Sequence, residues 1–241
     1  MNASSDESVS FARRRILVGL FGSLLGGCAI QSEIFNLVDR VIEGDVGSQC
    51  SDWDYYHERC GVTLSREEIA AKGIAATQEM TQWCWAACIQ MAFRWHGYEL
   101  AQERIVRAAY GRIVNLPAFG WTIHRRLAQS WRDDLGSEFR GSSRTLMDFT
   151  RGIRPSPSIG TRVRDELEKG YPLIIGTGGH AMLLVAQEAV QRRSSGRVVA
   201  VNRIAVLDPW PFRFNPRELK LLSFQDVNNT IFLATIDTSP I

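Results

Sequence analysis

Thr77 to Gly97 reads TQEMTQWCWAACIQMAFRWHG, and the setting of its first cysteine decides how the rest of the chain is understood. The stretch reads as a helix from Gln82 to His96, closed by Gly97. Cys84 then lies in the first turn. Backbone N–H groups have no intrahelical partner there, and the positive end of the helix dipole favours a thiolate. Cys88, one turn further between Ala87 and Ile89, reads as a buried small hydrophobe. A bond between the two would strain a regular helix and is set aside. A cysteine used only for packing does not need a helix mouth; a nucleophile does.

A thiol nucleophile needs a base, and the chain has four histidines. His96 is twelve residues along the same helix, about 18 Å away at 1.5 Å per residue, so it reads as a helix cap. His57 sits between Cys50 and Cys60, and His124 beside Arg125 and Arg126 on a surface helix. His180, in GTGGHAMLLV, stands at the mouth of an apolar strand behind Gly178 and Gly179, which let a backbone or substrate come close.

The orienting group follows from a hairpin. HAMLLVAQEAV and RVVAVNRIAVLD are joined by the polar turn QRRSSG, and folding about Ser194 or Ser195 makes facing positions sum to 388 or 389. His180 then faces position 208 or 209, which selects Asp208. Asn202 would lie six residues along the ladder, roughly 20 Å away. A buried carboxylate at that place fixes the histidine tautomer and stabilises the imidazolium. An amide N–H of Gln78 or Gln82, with the Cys84 backbone N–H, would hold a developing oxyanion, and spacing alone leaves both glutamines open.

The remaining elements set the fold class. Ser65 to Gly73 reads as a short helix with Ser65 and Glu68 as a capping box. Further helices are expected over Leu100 to Tyr110, Trp121 to Trp131 and Thr161 to Lys169, with a short strand around Phe139. YPLIIG, the hairpin and TIFLATI read as strands. Helices first and strands second predict an α+β fold, an N-terminal helical half carrying the nucleophile helix on a C-terminal antiparallel β-sheet, with chemistry in the cleft between them.

The chain has 241 residues and a formal net charge of +2. That suits one globular domain and gives no electrostatic case for nucleic acid. Residues 1–27 read as an export signal, with Arg13, Arg14 and Arg15 before the apolar run from Ile16 to Leu25. LLGGC resembles a bacterial lipobox, making Cys28 a lipidation site and a membrane anchor; an ordinary signal peptide is the alternative. RRRIL resembles a twin-arginine signal more weakly. Ala29 is not the aspartate that marks inner-membrane retention in lipoproteins, so periplasm or outer membrane is expected, or secretion. Residues 28–61 read as a tether and a polar loop stapled by a Cys50–Cys60 disulfide. A zinc site with His57 is set aside for want of a fourth ligand.

Taken together, QEMTQWCWAA, GGHAMLLV and DPW resemble the motifs of papain-like cysteine peptidases, closest to compact bacterial members such as bacteriocin-processing peptidases and secreted papain-like effectors. The resemblance covers Leu64 to Ile236, within a domain set at 62–241. It implies Gln78 as oxyanion residue, Cys84 as nucleophile, His180 as general base, Asp208 as orienting group and Trp210 as the shield of the His–Asp hydrogen bond. Trp85, Gly179 and Gln82 are the neighbouring binding candidates. The implied substrate is a peptide or protein, with no metal or cofactor. An amidase, an acyl or transglutaminyl transferase, or an inert binding lipoprotein are the alternatives on this scaffold. The segments between the motifs differ in length from those of the larger plant and lysosomal enzymes, so subsites do not carry over.

Overall fold

The computed structural model describes residues 49–210 and 219–241. The signal region, Cys28 and most of the tether lie outside them. Eleven strands are described: β1 (Gln49–Asp52), β2 (His57–Thr63), β3 (Ser130–Arg132), β4 (Glu138–Ser142), β5 (Thr145–Asp148), β6 (Leu173–Thr177), β7 (His180–Arg192), β8 (Val198–Leu207), β9 (Leu219–Leu221), β10 (Thr230–Thr235) and β11 (Asp237–Pro240). Six α-helices accompany them: α1 (Arg66–Ala71), α2 (Cys84–Trp95), α3 (Gln102–Tyr110), α4 (Gly120–Leu127), α5 (Ile159–Glu168) and α6 (Phe224–Asn228).

The thirteen-residue β7 organises the main sheet. Its first half pairs with β6 and its second half with β2 on one side, while β8 runs along the other. All these pairings are antiparallel. β6 continues to β10 and β5, β8 continues to β9, and β11, β4 and β3 form a separate small sheet. β7 is buried without interruption from Ala181 to Gln191, which requires cover on both faces. α2 packs on β6 and β7, and α5 packs on β2, β7 and β8. The architecture is α+β, with the helix that carries Cys84 laid on an antiparallel sheet.

α2 is nearly all buried: Trp85, Ile89, Met91 and Phe93 are among its fully covered side chains. Each such side chain withdrawn from water contributes about 1.5–3 kcal/mol before the cost of ordering it. Cys88 is in this core, as expected, and burial first, then the charges of Cys84 and Asp208, push its thiol pKa well up.

Several local expectations are corrected. QCSDWDYYHERC is a β-hairpin rather than a loop, and its second strand extends the sheet from His57↔Arg192 to Thr63↔Ala186. The Cys50–Cys60 disulfide joins directly opposed residues of that hairpin. The helix expected to reach Trp131 ends at Leu127, because Trp131 pairs with Phe139 in the small sheet and is buried there. Ser65 does cap α1 through the Glu68 N–H, but its hydroxyl donates to Glu67 and Glu68 pairs with Lys72, so the reciprocal half of the capping box is absent. Among the described residues, no helix is long and apolar enough to cross a membrane.

Candidate active site

Cys84 is the first residue of α2, two positions later than the expected helix start, with Trp83 as the cap residue and no side-chain cap. Its N–H and those of the next residues therefore point out of the helix end unclaimed by the helix itself. The tryptophans on either side hold it there. Trp83 and Trp85 are both fully buried, and their indole N–H groups donate to the carbonyls of Val114 and Leu116 at 2.8 and 3.1 Å. Asn115, between those carbonyls, accepts from the Gln82 N–H at 2.9 Å and donates to Thr81 Oγ1 at 2.8 Å. The segment before α4 thus clamps α2 at its mouth, beside Cys84.

His180 is placed by a turn. Thr177 pairs with His180, and the two residues between them, Gly178 and Gly179, have φ of 57° and 80°. Two consecutive left-handed residues in a two-residue hairpin loop make a type I′ turn, which glycine adopts without steric cost. His180 is accordingly the first residue of β7, and it lines the same cavity as Cys84, a space of about 160 Å³.

Asp208 follows the end of β8 and is almost fully buried. Its Oδ1 lies 2.6 Å from His180 Nε2 and accepts the Trp210 N–H at 3.0 Å. The expected sum of 388 or 389 holds beside the turn (Gln191↔Val198, 389) but rises to 391 in the middle (Gln187↔Ile204) and is 390 near the site (Leu183↔Leu207), the ladder being shifted by three irregularities. Each bulge inserts an unpaired residue on one strand. The histidine still reaches Asp208, diagonally rather than straight across. Asn202 lies in the middle of β8, beside Arg203, which pairs with Glu188 far from His180.

With Nε2 committed to Asp208, Nδ1 is the ring nitrogen left for the Cys84 thiol, which lines the same cavity and couples to the ring electrostatically. The His180 pKa is raised to about 9. Burial opposes the charged ring, but the hydrogen bond to Asp208 and the interactions with Cys84 and Asp208 outweigh it. The Asp208 pKa is lowered to about 2: burial again opposes charge, and the hydrogen bonds from His180 and Lys220 overcome it, helped by the His180 charge and the Trp210 N–H. Trp210 stands edge-on to His180 with ring centres 6.0 Å apart and planes at 87°.

The two glutamines have different surroundings. Gln78 is buried and its backbone N–H donates to Pro209 O at 2.8 Å, tying the segment before Cys84 to the residue after Asp208. Its side-chain Nε2 donates to the carbonyls of Met80 and Thr81 at 3.0 and 2.9 Å, while Oε1 is buried without a partner. Gln82 is exposed, and its backbone N–H is the group bound by Asn115.

Three contributors went unread in the sequence. Lys220 Nζ lies 2.8 Å from Asp208 Oδ2, carried there by β9 pairing with β8. Asn115 clamps the helix mouth, and Asp148 lines the cavity shared by Cys84 and His180. No local pattern marks any of them, since each arrives through pairing or loop packing across the chain. The other histidines are elsewhere. His57 Nδ1 contacts Asp54 at 3.0 Å, and His96 caps α2 against Tyr171. Among the described residues, the group close enough to share a metal is Cys50, Glu58 and Cys60, whose two sulfurs are bonded to each other.

The sequence matches no protein-family model and no curated protein. Among solved structures, UfSP from C. elegans is similar at a TM-score of 0.39 and 14% sequence identity, over 69% of this chain and 32% of that chain. This chain therefore spans about a third of that chain's length. A likeness of this size carries no functional argument.

Proposed function

We propose that this chain is a papain-like cysteine peptidase working through Cys84, His180 and Asp208. The observation that carries the reading is the grouping of a thiol at a helix start, an imidazole lining the same cavity, and a buried carboxylate hydrogen-bonded to the far ring nitrogen. A domain used only for binding has no need of a free, partly exposed thiol at that place.

In the proposed reaction the Cys84 thiolate, paired with the His180 imidazolium, adds to a peptide carbonyl. The negative oxygen of the tetrahedral intermediate is held by the Cys84 N–H at the start of α2. We assign the second donor to Gln78, whose Nε2 exchanges one of its two carbonyls for the oxyanion as charge develops; such contacts commonly tighten only along the reaction. His180 then gives its proton to the leaving amine, and water, deprotonated by the same ring, releases the acyl-enzyme. Asp208 holds the ring orientation and balances its charge without itself taking the proton.

The test is cleavage of a peptide library by wild type and Cys84→Ala. Loss of turnover, with loss of iodoacetamide labelling at that position, is the expected result, and cleavage by the variant at the wild-type rate rejects the assignment. Adding a primary amine separates hydrolysis from acyl transfer, and an acid product is expected. We further propose export, with lipid attachment at Cys28. The Cys50–Cys60 disulfide suits an oxidising compartment. Labelling cells with a fatty-acid analogue tests the anchor, and an unlabelled protein ends that part of the proposal.

A further inference from the structure

We propose that Asp148 makes the cavity beside Cys84 a subsite for a basic side chain, an aliphatic stem ending in an ammonium or guanidinium group, next to the scissile carbonyl. This rests on the peptidase reading above and specifies its substrate class.

The cavity of about 160 Å³ is lined largely by apolar groups, among them Trp85, Pro117, Phe119, Ile123, Ile231 and Phe232. That volume is comparable to one that admits a benzene-sized group, so it takes one side chain rather than a chain segment. Among the described residues lining it, Asp148, at the end of β5, is the one carboxylate, and it is only 1% exposed. Its Oδ1 accepts from the Thr150 N–H at 3.0 Å and from Thr150 Oγ1 at 2.6 Å. Its Oδ2 is buried and meets no hydrogen-bond donor among the described residues, and no cation there is paired with Asp148.

Oδ1 alone accounts for the structural work, because it caps the short 3-10 turn Phe149–Arg151. An asparagine would do that equally well through its amide oxygen. The second oxygen needs another explanation, since a buried carboxylate without a full set of partners is costly. Gly120, the first residue of α4, lies against this oxygen and the Phe232 ring, and any larger residue there would crowd both. A Cβ there would sit 2.8 Å from Asp148 Oδ2 and 2.3 Å from the Phe232 ring. The N-terminal end of α4 offsets part of the cost of the charge. A substrate cation offsets the rest, and a side chain lacking one leaves the carboxylate unpaired, which is the kind of mismatch that discriminates strongly.

The experiment uses two peptidyl acyloxymethyl ketones identical except for lysine or norleucine beside the warhead, with Cys84 labelling followed by mass spectrometry. The lysyl probe should label wild type about tenfold faster or more, as expected for a site with an otherwise unpaired buried polar group. In Asp148→Asn, which keeps the Thr150 contacts, the two rates should converge through loss of the lysyl rate, with iodoacetamide labelling of Cys84 unchanged. Equal rates in wild type, or a lysine preference that survives Asp148→Asn, overturns the proposal. If Asp148→Asn does not fold, the wild-type comparison decides alone. Iodoacetamide labelling without labelling by either peptidyl probe would instead remove the peptidase reading, and this subsite with it.

Discussion

Lys220 Nζ lies 2.8 Å from Asp208 Oδ2, so the carboxylate that orients His180 is itself gripped on its other oxygen. Lys220→Met should leave the fold intact and lower kcat/KM about tenfold, the order expected for one hydrogen bond to a charged group. KM should change little, because the lysine acts on the carboxylate rather than on substrate. Steady-state kinetics with one peptide checks this; an unchanged kcat would show that His180 and Trp210 fix Asp208 without help.

Replacing the carboxylate itself should grade the response. Asp208→Ala removes the acceptor for His180 Nε2 and for the Trp210 N–H and should cost on the order of 10⁴ in kcat, as when a triad loses its aspartate outright. Asp208→Asn keeps an oxygen for both donors and should retain considerably more activity. Its alkaline limit should also move down, because the negative charge that holds the His180 proton is gone. A pH–rate profile of the three proteins separates these effects.

For wild type, activity should fall on the alkaline side as His180 loses its proton near 9. The same pair makes stability depend on pH. The His180 pKa is raised on folding from an ordinary 6.5, so its contribution is full below that value and is lost as pH rises through about 9. The Asp208 pKa is lowered from 3.8, so its contribution is full above that value and is lost as pH falls through about 2. Both describe one interaction and are counted once. Melting temperature against pH should be flattest between these limits, and His180→Gln should flatten the alkaline decline.

Gly179 tests the turn. Its φ of 80° makes Gly179→Val strained, by roughly 1–2 kcal/mol or more for a residue forced into left-handed backbone. Because the next residue is His180, kcat should fall further than the small loss of stability would suggest. A variant that melts lower but turns over normally would show that the turn carries only structure.

The thiols should react in order. Cys84 is partly exposed and Cys88 wholly buried, so within residues 49–241 one thiol should react in the native protein and a second only on unfolding. Cys50→Ser with Cys60→Ser should destabilise by about 2–4 kcal/mol, typical of removing a native bridge, with little effect on kcat. Mass-spectrometric thiol counting and a denaturant curve check the two statements.

What the sequence disclosed was local or nearly so. The start of α2 was readable from QWCWAA, and one short turn brought His180 and Asp208 together on a hairpin. The register error shows the limit of that reasoning, because bulges in β7 and β8 are set by packing on both faces rather than by the turn. The polar look of QCSDWDYYHERC hid a hairpin whose strand is stabilised by β7, more than a hundred residues away. Trp131 looked like the end of a helix because apolar periodicity is ambiguous over so few residues, and its pairing with Phe139 decided otherwise. Lys220 and Asp148 were illegible for the same reason: their roles exist only once distant strands have met.

The single backbone bond from Gln78 to Pro209 has a thermodynamic corollary. It clasps the approach to the sulfur to the exit from the carboxylate, so loosening either segment releases both. Catalytic competence should therefore vanish in one cooperative step under denaturant, at the midpoint where Trp83 and Trp210 fluorescence changes, with no partly competent species on the way.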